Sequence, residues 1–188
     1  ELRFVIGVSD EIRPEAKKAL MKLRKMGIKR FVMLTGDNQI TAQAVATHLG
    51  IDEVKAELLP ADKVKEVQKL KDTGHIVAFV GDGINDSPSI ALADIGIAMG
   101  SGTDVAVETS DIVLMRSSFD ELVHAFGLTR ATIFNMRQNI GISLATVGLL
   151  FVGLFAGFIY MASGMFVHEA SILFVILNGL RLMKFRVK

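Results

Sequence analysis

The chain has no cysteine. Disulfides and thiolate metal sites are therefore excluded. It also has almost no net charge: 21 Lys and Arg against 20 Asp and Glu leave a formal +1. That gives no overall electrostatic case for a nucleic-acid partner. The most basic run, Lys17 to Lys25, lacks the interleaved aromatics on which bases stack, and it reads as a solvated helix face. Internal repeats and low-complexity segments are missing too. No signal-peptide pattern is present, and the first residue is Glu1, so the chain is expected to be a fragment or a processed piece. Its 188 residues allow one ordinary domain and little more. Half of them are apolar and the mean hydropathy is +0.44, high for a soluble domain. The apolarity is uneven: residues 1–130 read as a soluble α/β protein, while 140–183 are mostly apolar.

One run organises the first part: Val77-Ala78-Phe79-Val80-Gly81-Asp82-Gly83-Ile84-Asn85-Asp86. Its apolar start predicts a buried strand. Gly81 and Gly83 then free the backbone to turn. Asp82 and Asp86 follow at the carboxyl end of the strand, where open α/β sheets bind ligands. Two carboxylates there are hard oxygen donors suited to Mg²⁺, and Asn85 can hydrogen-bond the same site. An Asp-rich turn that only caps the next helix would read the same way.

Around this run, apolar strands alternate with amphipathic helices. Strands are expected at 4–8, 29–34, 54–57, 75–80, 94–99 and 111–115, with helices after Pro14 and over 39–49, 62–73 and 119–138. Asp62 is expected to cap the third helix. The alternation predicts a largely parallel sheet with helices on both faces. Thr35-Gly36-Asp37 follows the apolar Phe31 to Leu34. Lys63 follows Pro60-Ala61-Asp62, and Asp10 and Arg13-Pro14 follow Phe4 to Val8.

On these motifs the chain resembles the phosphorylation domain of P-type ATPases, of the haloacid dehalogenase superfamily. The matching patterns are D-x-x-R-P at Asp10 to Pro14, TGD at Thr35 to Asp37, P-x-D-K at Pro60 to Lys63, GDG-x-ND at Gly81 to Asp86, and G-x-G-T-D at Gly100 to Asp104. The resemblance covers roughly the first two thirds of the chain. It implies a Rossmann-like fold and a catalytic site of Thr35, Gly36, Asp37 and Lys63, in which Thr35 hydrogen-bonds the transferred phosphoryl group and Lys63 neutralises its charge, while Asp37, like Asp10, could instead cap a helix or partner Arg13. Asp82, Asp86 and Asn85 would hold Mg²⁺, with ATP as the substrate of the complete enzyme. Phosphoryl transfer needs positioning and charge cancellation above all, which these residue types supply. The family's D-K-T-G-T nucleophile signature is absent, as is the nucleotide-binding insertion that follows it. Asp10 sits after a strand but already fits D-x-x-R-P. The chain alone is therefore expected neither to form an aspartyl-phosphate nor to turn over ATP.

The uncharged run from Ile140 to Ala162 is about 23 residues, or roughly 35 Å as a helix, enough to span a bilayer. A turn is expected at Ser163-Gly164, and a second span from Met165 to Met183. Arg130 and Arg137 precede the pair; Arg181, Lys184, Arg186 and Lys188 follow it. The positive-inside rule then makes both ends cytoplasmic. His168 and Glu169 lie in the second span, where ionisable residues mark sites by default. At the outer interface they would simply be solvated. Asn178-Gly179-Leu180-Arg181-Leu182 resembles the N-x-L-R-L end of heavy-metal P-type ATPases. His168-Glu169 resembles the H-E-G-G of the cobalt-type subgroup, with Ala170 and Ser171 replacing both glycines. An imidazole and a carboxylate suit Co²⁺, Zn²⁺ or similar ions.

The sequence thus predicts an α/β domain with a mostly parallel sheet over 1–118, a connecting helix over 119–139, and an α-helical transmembrane hairpin over 140–188. The function it implies is part of an ATP-driven divalent-metal transporter. The partners implied are membrane lipid, the transported ion and the missing N-terminal part of the pump, and no nucleic acid. The alternatives are a membrane-tethered phosphatase of the same superfamily and a non-catalytic regulatory subunit.

Overall fold

A computed structural model describes residues 12–81, 84–100, 104–116 and 118–186. The predicted strand at 4–8, and with it Asp10, lies outside them. The chain divides into two compact units, Glu1–Val123 and His124–Lys188.

In the first unit α1 (Ala16–Lys25) buries Ala16, Ala19 and Leu23, one stripe of a helix of 3.6-residue period. Lys22, Arg24 and Lys25 occupy its last turn, where the helix dipole favours cations. β1 (Val32–Leu34) leads to α2 (Gln39–Leu49), whose N-cap Asn38 accepts the Thr41 N–H through Oδ1 at 2.9 Å. Gly50 ends α2 in the left-handed region at φ 73. β2 (Glu53–Lys55) and α3 (Pro60–Asp72) follow. Asp62 does not cap α3. Pro60 starts the helix earlier, with Leu59 at the cap position, so Asp62 falls inside the first turn and pairs with Lys65 at 2.8 Å. Then come β3 (Ala78–Gly81), α4 (Ser87–Leu92), β4 (Ile95–Met99), α5 (Asp104–Thr109) and β5 (Ile112–Leu114). The short helix α5 was not foreseen.

Every strand pairing among the described residues is parallel, as the alternation predicts. Two sheets result, β1-β2 and β3-β4-β5. In the larger sheet Ala78 stands opposite Ile95 and Ile97 opposite Ile112. Ile90 of α4 and Ala98 of β4 form the buried centre, with Phe79 packed against them.

A repeated device fixes the start of each parallel pair. The residue just before β2, β4 and β5 is an aspartate whose carboxylate accepts a neighbouring strand's backbone N–H. Asp52 accepts from Phe31 at 2.7 Å, Asp94 from Val77 at 2.8 Å, and Asp111 from Gly96 at 2.8 Å. Arg24 also binds Asp52, at 2.9 Å, and Lys71 binds Asp94, at 3.2 Å. The Phe31 N–H and Arg24 hold the Asp52 carboxyl below its ordinary value; the Val77 N–H and Lys71 do the same for Asp94. A lowered folded-state pKa stabilises the fold above the unfolded value, and that stabilisation is lost as pH falls through the lowered one. The first unit is therefore expected to loosen in acid, and Asp94→Asn to flatten that dependence. Hydrogen exchange of the β3 and β4 amides across an acid titration measures it; equal acid sensitivity in the variant would show that the carboxylate is not the group responsible.

The second unit holds most of α6 (Phe119–Phe155) and all of α7 (Met161–Leu180), followed by a 3₁₀ turn at Arg181–Lys184. Both helices are long and apolar enough to cross a membrane. The turn between them is not at Ser163-Gly164. Gly157 takes φ 76 and closes α6: its N–H reaches Leu154 O at 3.1 Å, and the Phe158 N–H reaches Gly153 O at 2.9 Å. This is the Schellman arrangement. Ser163 instead lies in the first turn of α7, where its Oγ accepts the Tyr160 N–H at 3.0 Å. A glycine able to enter the left-handed region outcompeted the Ser-Gly pair as the stopping point.

Candidate functional site

The carboxyl ends of β1 and β3 carry the predicted site. At the end of β1, the Thr35 N–H continues the ladder to Lys55 O at 3.0 Å. Thr35 Oγ1 donates to Asp37 Oδ2 at 2.9 Å and accepts the Asp37 N–H at 3.1 Å. The TGD segment is thus a small closed ring of hydrogen bonds.

A second segment folds over it. The Glu57 N–H reaches Asp37 O at 2.8 Å, and the Leu58 N–H reaches Thr35 O at 3.0 Å. Glu57 adopts φ 57, a left-handed conformation that a non-glycine residue takes at a cost of about 1 kcal/mol or more. A Cβ at Gly36 would lie 3.4 Å from Leu58 O, in ordinary contact with the segment folded over it. The strained residue leads directly into α3, which carries Lys63.

Lys63 Nζ pairs with Asp86 Oδ1 at 2.8 Å, and both side chains are mostly buried, at 17% and 16% exposed. Asp86 closes the short 3₁₀ turn Ile84–Asp86. A Cβ at residue 81 would stand 2.8 Å from Asp86 Cβ, so Gly81 is what lets Asp86 fold back over the end of β3. Asn85 is exposed on the same turn, and Asp82 lies outside the described residues. The hard oxygens of Asp86 and Asn85 match the donor set Mg²⁺ prefers. Ser87, next in the chain, buries its hydroxyl without a partner among the described residues.

The residues expected to be catalytic therefore fall into two contacts, Thr35 with Asp37 and Lys63 with Asp86, the latter an expected Mg²⁺ ligand. His168 and Glu169 are elsewhere, exposed on α7 in the second unit. As helix neighbours they point to different faces. Among the described residues, no group of three His, Asp or Glu side chains is close enough to hold a metal ion. Of the other histidines, His75 Nδ1 meets Thr73 Oγ1 at 2.9 Å, and the His124 ring packs 5.7 Å from that of Phe185.

Sequence reading missed three features. Glu57 carries no residue-type signal for its left-handed backbone. Asp94 and Asp111 were read as the first residues of strands and Asp52 was given no role, so their bonds to neighbouring strands went unseen. Asn135 and Asn139, one helical turn apart, were detectable as an i, i+4 amide pair.

Residues 1–94 match the sequence model of the haloacid dehalogenase-like hydrolases. The chain is 48% identical over 179 residues to a zinc-transporting ATPase of Bacillus subtilis, covering 95% of this chain and 28% of that protein. It is 45% identical over 185 residues to a manganese-exporting P-type ATPase of Mycobacterium leprae, covering 97% of this chain and 25% of the relative. Among solved structures, it resembles a zinc-transporting PIB-type ATPase in the E2·Pi state. The TM-score is 0.83 at 44% identity, over 93% of this chain and 28% of the other. The catalytic domain of a CPx-ATPase matches with a TM-score of 0.57 at 36% identity, over 63% of this chain and 46% of that one. The chain thus spans about a quarter of the curated relatives' length.

Proposed function

We propose, on the premise that this chain belongs to the haloacid dehalogenase-like hydrolases, that it is the C-terminal part of an ATP-driven exporter of divalent heavy-metal ions. The observation that carries this reading is the Lys63–Asp86 pair at the end of β3, in a fold whose relatives are zinc and manganese P-type ATPases. In this reading residues 1–118 bring the phosphate site, 119–139 connect it, and 140–188 form two membrane spans. The soluble part and both termini are cytoplasmic, because Arg137 and Arg181 to Arg186 flank the spans on one side.

Thr35 and the TGD backbone orient the transferred phosphoryl group, and Lys63 offsets its charge. Asp86 and Asn85, with Asp82, would hold Mg²⁺, which supplies further charge neutralisation when bound. Lys63 already faces Asp86, so the charges are positioned before ATP arrives. Among the described residues, β1 and β3 each keep one edge without a strand partner. A parallel strand on either edge would end beside Thr35 or Gly81, which is where an aspartate nucleophile from the remainder of the pump is needed.

His168 and Glu169 are the proposed donors to the transported ion, Zn²⁺, Co²⁺ or a similar borderline cation. In the complete pump, His168→Ala is expected to lower metal-stimulated ATP turnover by about tenfold or more, with phosphoenzyme formation chemistry otherwise intact. Unchanged metal dependence would remove His168 from the ion path. The whole reading is tested by ATP-dependent metal uptake into inverted vesicles carrying the complete pump. Uptake of divalent ions that requires Lys63 supports it, and ATP turnover insensitive to every divalent heavy metal overturns it.

A further inference from the structure

The most buried side chain described from residue 128 onward is an amide at the base of the helix pair. Asn135 is 8% exposed, whereas Leu144, Phe151 and Leu173 are 69%, 57% and 62% exposed. Among the described residues from 128 onward, no other is buried. Asn135 Nδ2 donates across to the Asn178 carbonyl at 2.8 Å, bridging α6 and α7 over a sequence separation of 43. Asn139 Nδ2 donates to Asn135 Oδ1 at 3.1 Å, and Asn178 Nδ2 donates to Asn139 Oδ1 at 2.8 Å. Arg181 Nη1 donates to Asn178 Oδ1 at 2.9 Å. The bonds run in one direction, from the guanidinium through three amides, and end on the Asn178 backbone. Every amide in the series both donates and accepts.

Three physical points favour a structural assignment for this series. The Asn178 carbonyl is among the last of α7, which generally lack an intrahelical partner, and Asn135 supplies one. Apolar faces provide little drive to associate in lipid, where packing and interhelical hydrogen bonds take over. The charge on Arg181 strengthens the first bond and polarises those behind it.

We infer that Asn135, Asn139, Asn178 and Arg181 form a hydrogen-bonded lock that sets the register of α7 against α6. A slip of one helical turn breaks the two bonds that cross between the helices, Asn135 to the Asn178 carbonyl and Asn178 to Asn139, and carries α7, with His168 and Glu169 on it, about 5.4 Å along its axis. The exposed leucines and phenylalanines impose no such register, since a slipped apolar face meets lipid equally well.

Because the chain lacks cysteine, introduced thiols are the only ones present. Thr132 and Leu182 line the same groove as Asn135 and Asn139. The experiment is oxidative cross-linking of the full chain carrying Thr132→Cys and Leu182→Cys in lipid vesicles. Adding Asn139→Ala or Asn178→Ala is expected to slow cross-linking about five- to tenfold. Both changes together are expected to do no more than either alone, because they cut one series. Leu149→Ala, on an exposed apolar position, is the control and leaves the rate unchanged. Hydrogen exchange at the α7 carboxyl end is the second readout, and it is expected to quicken in Asn139→Ala. Wild-type cross-linking and exchange in Asn139→Ala and Asn178→Ala would overturn the lock. Neither measurement involves ATP or a metal ion, so its failure leaves the transporter proposal standing, and the reverse holds too.

Discussion

Lys63→Ala is expected to lower ATP turnover of the complete pump by about two to three orders of magnitude, the usual effect of removing one charge-stabilising donor. Two effects combine. The developing phosphoryl charge loses its cation, and Asp86 loses the ammonium it meets at 2.8 Å. With both side chains mostly buried, the abandoned carboxylate destabilises the site by about 1–3 kcal/mol. The two effects separate by variant. Lys63→Arg keeps the charge but replaces a compact ammonium with a planar fork, so partial activity is expected. Asp86→Asn leaves Lys63 in place with a neutral neighbour. Metal affinity measured alongside turnover is decisive: the rate should fall while the metal concentration for half-stimulation stays put. A loss of less than about tenfold in Lys63→Ala would reduce the lysine to a structural ion pair.

The second large effect is on stability. Gly96→Ala is expected to destabilise the first unit by about 3 kcal/mol, the upper part of the range for overpacking. A Cβ there would stand 2.5 Å from Ile90 O and 2.7 Å from Ile90 Cγ2. The nearer atom is backbone, so α4 must move off β4, and the Ile90–Ala98 centre opens with it. For a domain with about 5–15 kcal/mol in total, that is a substantial share. Thermal unfolding followed by hydrogen exchange at the β4 amides should show it. Adding Ile90→Ala tests the cause: it removes Cγ2 but not the carbonyl, so little rescue is expected. Full rescue would mean that the side chain, not the helix backbone, sets the spacing.

The first prediction depends on a contact between two residues that the sequence reading kept apart; the second depends on Gly96 and Ile90, to which it gave no role. Lys63 and Asp86 were assigned separate roles, one for phosphate and one for Mg²⁺. Their mutual contact spans a separation of 23 residues and follows from how α3 packs on α4 and on the turn before it. The aspartates before β2, β4 and β5 were equally invisible. Nothing in residue identity distinguishes a loop Asp from one that accepts a neighbouring strand's N–H. Asp62 shows the opposite error: a good capping residue displaced by a proline that starts the helix earlier.

By itself, the sequence determined the parallel α/β order, the location of the Thr35-Gly36-Asp37 and Gly81 to Asp86 motifs at strand ends, and the two apolar helices. Those properties are local: they rest on the period of apolar residues and on short runs that turn the backbone. Tertiary structure alone decided which charges face each other and that Asn135 reaches Asn178. Such contacts join distant segments, and their geometry is set by packing and by the need to satisfy every buried polar group, which no local pattern encodes.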